Sequence, residues 1–211
     1  MLIIRNETEN DYEAVEKLTR DAFCDIYVPG CTEHYLAHIL RGHKDFIPEL
    51  DLVAELNGQV IGNIMYAKSS LVDENDAEKE ILTFGPVSIA PEFQRKGYGK
   101  KLIEYSLDKA KEMSFEAVVI FGSPANYIPL GFKSCKKYSV SSANGSFPCA
   151  MLVKELKQDA LNGRKWIYRE SPAYNFDEKD AEEFDKRFEK REKGYRRSQE
   201  EFYIYSNSFL K

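Results

Sequence analysis

Apolar and polar residues follow two periodicities along the first 156 residues, one typical of strands and the other of helices. Short apolar runs rich in β-branched residues predict strands, and apolar positions that recur at helical spacing predict helices. The predicted strands are Leu2–Arg5, Leu52–Leu56, Gln59–Leu71, Ile81–Ile89, Phe115–Phe121, a segment near Lys133–Ser142, and Cys149–Leu156. Predicted helices follow Thr8, Thr32 and Gly99. This order of elements predicts one domain of the α/β (α+β) class over residues 1–156.

The remaining residues, 157–211, are predicted to form a C-terminal extension that packs on this domain. Asp177 is expected to cap a highly charged helix in which Ala181, Phe184 and Phe188 make a narrow apolar stripe. Aromatic residues are dense in this segment, and such a composition argues against a disordered tail. The extension is also expected to form a wall of a substrate pocket.

A glycine turn separates the predicted strand Ile81–Ile89 from the helix that follows it. The turn reads Gln94-Arg-Lys-Gly-Tyr-Gly99, and basic side chains lie in and after it, at Arg95, Lys96, Lys100 and Lys101. Such a turn directs unpaired backbone N–H groups, and the positive end of the helix dipole, at one point. Glycine also lets the backbone approach an anion closely. The pattern therefore predicts a binding site for a phosphate-bearing ligand.

The spacing of the glycines excludes two familiar phosphate-binding motifs. The chain contains no G-x-x-x-x-G-K-[ST] sequence, which a P-loop requires. A dinucleotide fingerprint needs a third glycine where this chain has Leu102. The residues instead fit the pattern Q/R-x-x-G-x-G/A. That pattern resembles the pyrophosphate-binding signature of the GNAT superfamily, the acetyl-CoA-dependent N-acetyltransferases.

A second motif and the order of the elements extend this resemblance over residues 1–156. The segment Tyr127–Phe132 fits Y-x-x-x-G-F, which resembles an element that follows the next strand in GNAT enzymes. The segment Gly122–Tyr127 is similar to that of a branch of predicted bacterial acetyltransferases. One departure concerns the family's common Asn and Ala, which Ile120 and Ser123 replace here. This departure leaves the CoA contacts of the segment open.

The resemblance implies the GNAT fold, in which helices flank a central mixed, mostly antiparallel sheet with a splayed central strand pair. Gly85-Pro86 interrupts the strand Ile81–Ile89, which fits a strand whose exposed edge pairs with the pantetheine arm of CoA. Acetyl-CoA is then the expected cosubstrate, and no metal is required. The cofactor-binding residues that the resemblance implies are Val87, Ser88, Ile89, Gln94, Arg95, Lys96, Gly97, Tyr98, Gly99, Lys100 and Asn126.

The reaction that the resemblance implies is acetyl transfer to a primary amine by direct attack in a ternary complex. By its place in the Y-x-x-x-G-F element, Tyr127 is expected to protonate the departing thiolate as a general acid. The backbone N–H of Val87 is expected to stabilise the negative charge that develops on the carbonyl oxygen. Glu80 is the candidate general base, Glu55 is a second candidate, and ordered water is the alternative.

Composition narrows the class of partner. The formal net charge of -5 argues against broad nucleic-acid affinity and favours a cationic acceptor. Neither a signal peptide nor a membrane span is recognised, so a cytoplasmic protein without membrane partners is expected. The four cysteines form no C-x-x-C pair, which favours reduced thiols. His34 and His38 have metal-binding spacing but no third ligand in sequence, so no metal site is expected.

The sequence does not identify the molecule that accepts the acetyl group. A small-molecule amine or a peptide amine fits the chemistry, and a homodimer is one candidate assembly. By the resemblance, loops near Ile26–Cys31 and Ser141–Pro148 are expected to line the acceptor pocket. Two other functions stay open as well. One is a non-catalytic acyl-CoA-binding sensor or regulatory module, and the other is an interaction protein that uses the charged segment Asp177–Lys193.

Overall fold

A nine-stranded sheet forms the centre of the computed structural model, which describes all 211 residues. The strands are β1 (Leu2–Asn6), β2 (Leu52–Leu56), β3 (Gln59–Asp73), β4 (Glu78–Ile89), β5 (Ala117–Phe121), β6 (Lys133–Ser134), β7 (Val140–Ser141), β8 (Met151–Glu155) and β9 (Trp166–Arg169). Their order is β1-β2-β3-β4-β5-β8-β6, and β9 pairs with both β3 and β7. The pairs β4–β5 and β7–β9 are parallel and the others antiparallel, which confirms the predicted mixed, mostly antiparallel sheet.

Helices cover both faces of the sheet. They are α1 (Tyr12–Phe23), α2 (Glu33–Leu40), α3 (Tyr98–Glu112), α4 (Pro124–Tyr127), α5 (Glu178–Asp185) and α6 (Arg197–Ser206). Side chains alternate between the two faces along β3, so Ile64 and Tyr66 pack in the core that includes α3. Met65 and Ala67 point to the opposite face and pack in the core that includes α2. None of the helices is both long and apolar enough to cross a membrane.

β4 separates from β5 in the middle of the sheet. The two strands share one register pair, Leu82↔Val118, while β4 continues beside β3. The register shifts along that pairing, so that Gly85 and Pro86 oppose the single residue Met65 in a β-bulge. Beyond Leu82, the edge of β4 that faces β5 therefore has no strand partner. This is the splayed central pair that the resemblance implies.

The segment Lys133–Ser142, predicted as a strand, is broken in the structure. Its two ends contain the short strands β6 and β7, and Cys135–Tyr138 form a 3₁₀ turn between them. Ser139 then adopts a left-handed φ of 54°, which an extended strand does not accommodate. The turn carries the chain from the edge of β8 to β9. The prediction of a continuous strand was therefore wrong.

The residues after 156 contact the rest of the chain at several places. β9 adds to the sheet beside the end of β3. Arg20 of α1 pairs with Asp185 of α5 at 2.6 Å, and the Phe202 ring of α6 lies 4.8 Å from that of Tyr27. Residues 157–211 thus supply a strand as well as helices. Their separation from a domain of residues 1–156 stays a prediction.

Candidate active site

A cleft of about 700 Å³ opens beside the free edge of β4. Distant parts of the chain line it, including Thr83–Ile89 of β4, the turn before α3, α4, and several residues between Ala22 and Leu36. The segment after residue 156 contributes Glu170, Tyr174 and Ser198. The cleft is therefore built from both the predicted domain and the predicted extension.

Most of the residues that the sequence singled out line this one cleft. They are Val87, Ser88, Ile89, Gln94, Arg95, Gly97, Gly99, Lys100, Asn126 and Tyr127. Lys96 and Tyr98 are absent from the lining, as is Lys101. The Tyr98 ring packs on Phe93 instead, with the ring centroids 6.2 Å apart. The roles of these residues stay predictions.

The phosphate turn, Gln94–Lys100, presents main-chain donors that the protein itself leaves unused. The six amides from Arg95 to Lys100 donate to no acceptor within the protein. Lys101 is the first residue of α3 whose N–H is satisfied, and it donates to the Gly97 carbonyl at 3.2 Å. No side chain caps this end of α3. Unpaired amides and the positive end of the helix dipole together make a site suited to an anion.

Glycine suits two positions of the phosphate turn, Gly97 and Gly99, for different structural reasons. Gly97 has a left-handed φ of 85°, and a Cβ built there would meet no atom within 4 Å. Its backbone conformation, rather than crowding, therefore requires glycine. A Cβ at Gly99 would lie 3.4 Å from the Ile89 side chain, at the junction of α3 and β4. Arg95 is also left-handed, with a φ of 59°, so the turn is tightly wound.

The polar side chains of the phosphate turn mainly hold its shape. Gln94 Nε2 donates to the Ile89 carbonyl at 2.9 Å and ties the turn to the end of β4. Lys96 Nζ donates to the carbonyl of Glu92 at 2.8 Å, which uses the ammonium within the loop. Arg95 and Lys100 line the cleft, so they are the basic side chains of the turn that can reach an anion there.

Strand geometry directs two main-chain N–H groups of β4 into the cleft. The N–H of Ala90 donates to β3 at 2.8 Å, so the main-chain groups of Ser88 face the same neighbour. Those of Val87 and Ile89 alternate with them and face the open edge. The Ser88 hydroxyl lies 2.9 Å from Thr19 Oγ1, which joins β4 to α1.

Tyr127 places a phenol in the cleft without a hydrogen-bond partner from the protein. Its ring packs against Phe84 and Phe132, with centroids 5.9 and 5.7 Å away. A Cβ at Gly122 would lie 2.4 Å from the Tyr127 ring, so glycine there permits this position. Burial raises the pKa of Tyr127, so its hydroxyl is protonated at neutral pH and is able to donate.

The two carboxylates predicted as general bases lie outside this cleft. Glu80 lines a separate groove of about 530 Å³, and its carboxylate is 3.1 Å from Lys68 Nζ. Glu55 of β2 accepts a hydrogen bond from Arg5 Nε at 2.9 Å. The structure therefore brings neither carboxylate together with Tyr127. A catalytic role for Glu80 stays a prediction.

Two carboxylates that sequence reasoning missed do line the cleft. Glu33 begins α2, and Glu170 directly follows β9. Neither forms an ion pair, although one Glu33 oxygen accepts the Thr32 N–H at 3.0 Å. Desolvation raises the pKa of both carboxyl groups. Because the two residues are far apart in the chain, no spacing in the sequence signals their common location.

Aromatic residues accompany these carboxylates. Tyr174 lines the cleft, and its hydroxyl donates to the Gly85 carbonyl at 3.1 Å, which links the C-terminal segment to the bulge of β4. Tyr27 lines the cleft and packs on Phe202 of α6. The cleft thus combines unpaired carboxylates with aromatic walls.

His34 and His38, which were not expected to bind a metal, each lie beside a carboxylate. His34 Nε2 lies 3.0 Å from Asp185 Oδ1, and His38 Nδ1 lies 2.9 Å from Glu16 Oε1. No group of three or more His, Cys, Asp or Glu side chains is arranged to hold a metal ion. Both histidines therefore join helices to their neighbours.

Known proteins are similar to this chain in sequence and in fold. The acetyltransferase (GNAT) family profile matches residues 13–131, a range that contains both the phosphate turn and Tyr127. The uncharacterized N-acetyltransferase YhbS of Escherichia coli K12 is 30% identical over 163 residues. Those residues are 77% of this chain and 92% of YhbS.

Two solved structures show the same architecture. The crystal structure of YhbS from Escherichia coli in complex with CoA aligns with a TM-score of 0.71 and 25% identity, over 83% of this chain and 92% of that chain. A GNAT family acetyltransferase from Brucella melitensis, in complex with acetyl-CoA, aligns with a TM-score of 0.66 and 24% identity. That match covers 83% of this chain and 99% of the other. These alignments confirm the predicted fold class.

Proposed function

Because this chain belongs to the GNAT family of acetyltransferases, we propose that it moves an acetyl group from acetyl-CoA to a primary amine by direct attack in a ternary complex. Family membership makes the chain an acyltransferase; the acceptor and the route are the proposal. One observation supports it above the others. The turn that carries the unpaired amides, the open edge of β4 and the Tyr127 phenol all border one cleft.

Acetyl-CoA is proposed to lie along the open edge of β4. Its pyrophosphate accepts hydrogen bonds from the amides of residues 95–100, and its pantetheine arm pairs with the main chain of Val87 and Ile89. This direction brings the thioester toward Tyr127. The CoA complex of the relative YhbS supports the choice of coenzyme.

The proposed transfer forms a C–N bond and breaks the C–S bond of the thioester. The acceptor first loses a proton to water in the open cleft, because an ammonium nitrogen has no lone pair with which to attack the carbonyl carbon. The Val87 N–H stabilises the negative charge on the carbonyl oxygen. The nitrogen then releases its second proton to water as the amide forms. The expelled thiolate takes the phenolic proton of Tyr127, which recovers a proton from solvent.

Acetyl-CoA binding tests this proposal. We expect acetyl-CoA at about 100 times its Kd to add about 2.7 kcal/mol to the free energy of unfolding, measured by thermal shift. Gly97→Ala should reduce that gain, because a side chain at its φ of 85° strains the turn and displaces the amides. Gly58→Ala is the matched control. Its φ is 84°, a Cβ there also meets nothing within 4 Å, and the residue lies between β2 and β3.

Both variants should lose similar stability without ligand, and only Gly97→Ala should lose stabilisation by acetyl-CoA. Equal responses of the two variants would remove the turn from the binding site, and no response of the unaltered protein would reject the proposal. Release of free CoA thiol in the presence of a panel of amines separates an enzyme from a binding module. Binding without release would favour the module.

A further inference from the structure

Glu33, which is half-buried, and Glu170, which is exposed, differ from most of the enclosed carboxylates of this protein. Most of those have a cationic partner; examples are Asp11 with Arg5 at 2.7 Å, Glu7 with Arg41 at 2.8 Å, and Asp185 with Arg20 at 2.6 Å. Glu33 and Glu170 have none, and both line the cleft. Enclosure in a cleft without a cation is unfavourable for the half-buried Glu33 carboxylate, and the exposed Glu170 adds a second uncompensated negative charge to the same lining. The cleft therefore favours a ligand that supplies positive charge.

The two carboxylates reach the cleft from different elements. Glu33 stands at the first position of α2, near the Tyr27 side of the lining, and its charge acts on the Tyr27 phenol. Glu170 follows β9, and its charge acts on Tyr174, whose hydroxyl is bonded to Gly85 of β4. One ammonium group pairs with one of these sites. A second amino group on the same acceptor can pair with the other, and one of the two gives up its proton before it attacks the thioester.

The surroundings of Glu170 also favour a cation. Glu170 lines both the cleft and the separate groove that contains Glu80, so the two spaces meet at this residue. No hydrophobic residue lines that groove. Its charged residues are Asp45, Glu78, Glu80 and Glu170 on the acidic side, and Lys68 and Arg169 on the basic side. The excess of negative charge concentrates cations at this entrance to the cleft.

We propose that the acceptor is a small diamine whose two amino groups are recognised by Glu33 and Glu170. This inference rests on the proposed function, since it identifies the substrate class of the same cleft. The aromatic rings of Tyr27 and Tyr174 provide walls for the hydrocarbon segment between the amino groups. A cleft of about 700 Å³ that also holds the end of a coenzyme suits a small acceptor better than a folded protein.

Three amines with the same four-carbon chain and different distal groups test the proposal: putrescine, n-butylamine and γ-aminobutyrate. The distal groups are an ammonium, a methyl and a carboxylate. We expect the unaltered enzyme to prefer them in that order, measured as kcat/KM at a saturating concentration of acetyl-CoA. Each of Glu33→Gln and Glu170→Gln should raise the KM for putrescine roughly tenfold or more, because each removes one charged hydrogen bond.

The matched control is Glu13→Gln on the exposed face of α1, which has no ion pair and lies outside the cleft. It should leave all three KM values unchanged. Thermal shift with putrescine in the presence of CoA gives a second readout, and Glu33→Gln and Glu170→Gln should each lose the shift that putrescine gives. Melting temperatures without ligand establish that the variants are folded.

Several outcomes would overturn the diamine proposal while acetyl-CoA still stabilises the protein. These are equal use of the three amines, unchanged KM for putrescine in both glutamine variants, or preference for a lysine-bearing peptide over every small amine. Loss of acetyl-CoA stabilisation in the unaltered protein would instead reject the proposed function itself. The two failures are therefore distinguishable.

Discussion

Tyr127 can occupy its position in the cleft because the neighbouring residue Gly122 has no side chain. The ring occupies the space where a Cβ of Gly122 would otherwise stand, and Phe84 and Phe132 fix it from other directions. Its hydroxyl keeps a proton because burial raises the pKa. Rigid placement and a retained proton are the two properties that a general acid needs.

Tyr127→Phe removes the proton and keeps the ring. We expect kcat to fall by about a hundredfold or more, because positioned proton transfer contributes on that order. The Kd for acetyl-CoA, measured by calorimetry, should stay nearly the same. Tyr105→Phe, on the exposed face of α3, is the control and should change neither quantity. Loss of turnover and affinity in equal measure would assign Tyr127 a binding role instead.

Residue-scale predictions succeed where the signal is local. The turn with its unpaired amides could be predicted from six consecutive residues because it lies between one strand and one helix, whereas its binding role stays a prediction. Glu33 and Glu170 could not be found in this way. Their common location depends on how α2 and β9 pack on the sheet, and neither residue lies in a motif.

At the scale of elements, the divergence of β4 from β5 creates the cleft. A single shared register pair leaves the remaining main chain of β4 without a strand partner on that edge. The family resemblance implied this departure and the Gly85-Pro86 interruption fitted it; the structure places both residues in a bulge opposite Met65. Proline has no N–H to donate, and a bulge, where the regular ladder is interrupted, accommodates it.

β9 shows where sequence reasoning about elements was incomplete. Trp166–Arg169 alternate between buried and exposed positions, as a strand does, yet their partners are the distant end of β3 and the short β7. A four-residue run carries too little periodicity to reveal such pairing. The broken segment between β6 and β7 was missed for a related reason, because its turn adapts to β9.

Trp166→Ala tests how much the packing of β9 contributes to the stability of the fold. Trp166 is 3% exposed, and its indole N–H donates to the Leu161 carbonyl at 3.1 Å. We expect a loss of about 3–5 kcal/mol in unfolding free energy, measured by urea denaturation. The neighbouring Ile167 is 42% exposed, so Ile167→Ala should change stability by no more than about 0.5 kcal/mol. Similar small losses in both variants would show that β9 is peripheral.

At the scale of the whole molecule, a buried acid couples stability to pH. Asp51 is buried, and its carboxyl accepts a hydrogen bond from Asn63 Nδ2 at 3.1 Å. Burial, together with the neighbouring Glu7, raises the pKa of Asp51 well above its usual value. The folded protein therefore keeps a proton on Asp51 that the unfolded chain has already released at neutral pH.

Asp51 should consequently make the protein less stable as pH rises. Between the ordinary pKa of Asp51 and its raised value, unfolding releases one proton, so stability falls by about 1.4 kcal/mol per pH unit from this group. Asp51→Asn keeps an acceptor for Asn63 and removes this dependence. Urea unfolding of both proteins between about pH 5 and pH 8 should give curves that diverge with pH, in favour of the variant. Parallel curves would contradict a retained proton.

The order in which the walls of the cleft appear along the chain has a consequence for biosynthesis. The main-chain donors proposed to hold acetyl-CoA lie within Thr83–Lys100, whereas Glu170, Tyr174 and Ser198 are translated much later. A nascent polypeptide emerging from the ribosome thus contains the amides proposed to bind the coenzyme well before the last side chains of the cleft exist. Under the diamine proposal, discrimination among amines is in this sense the final property that the growing chain acquires.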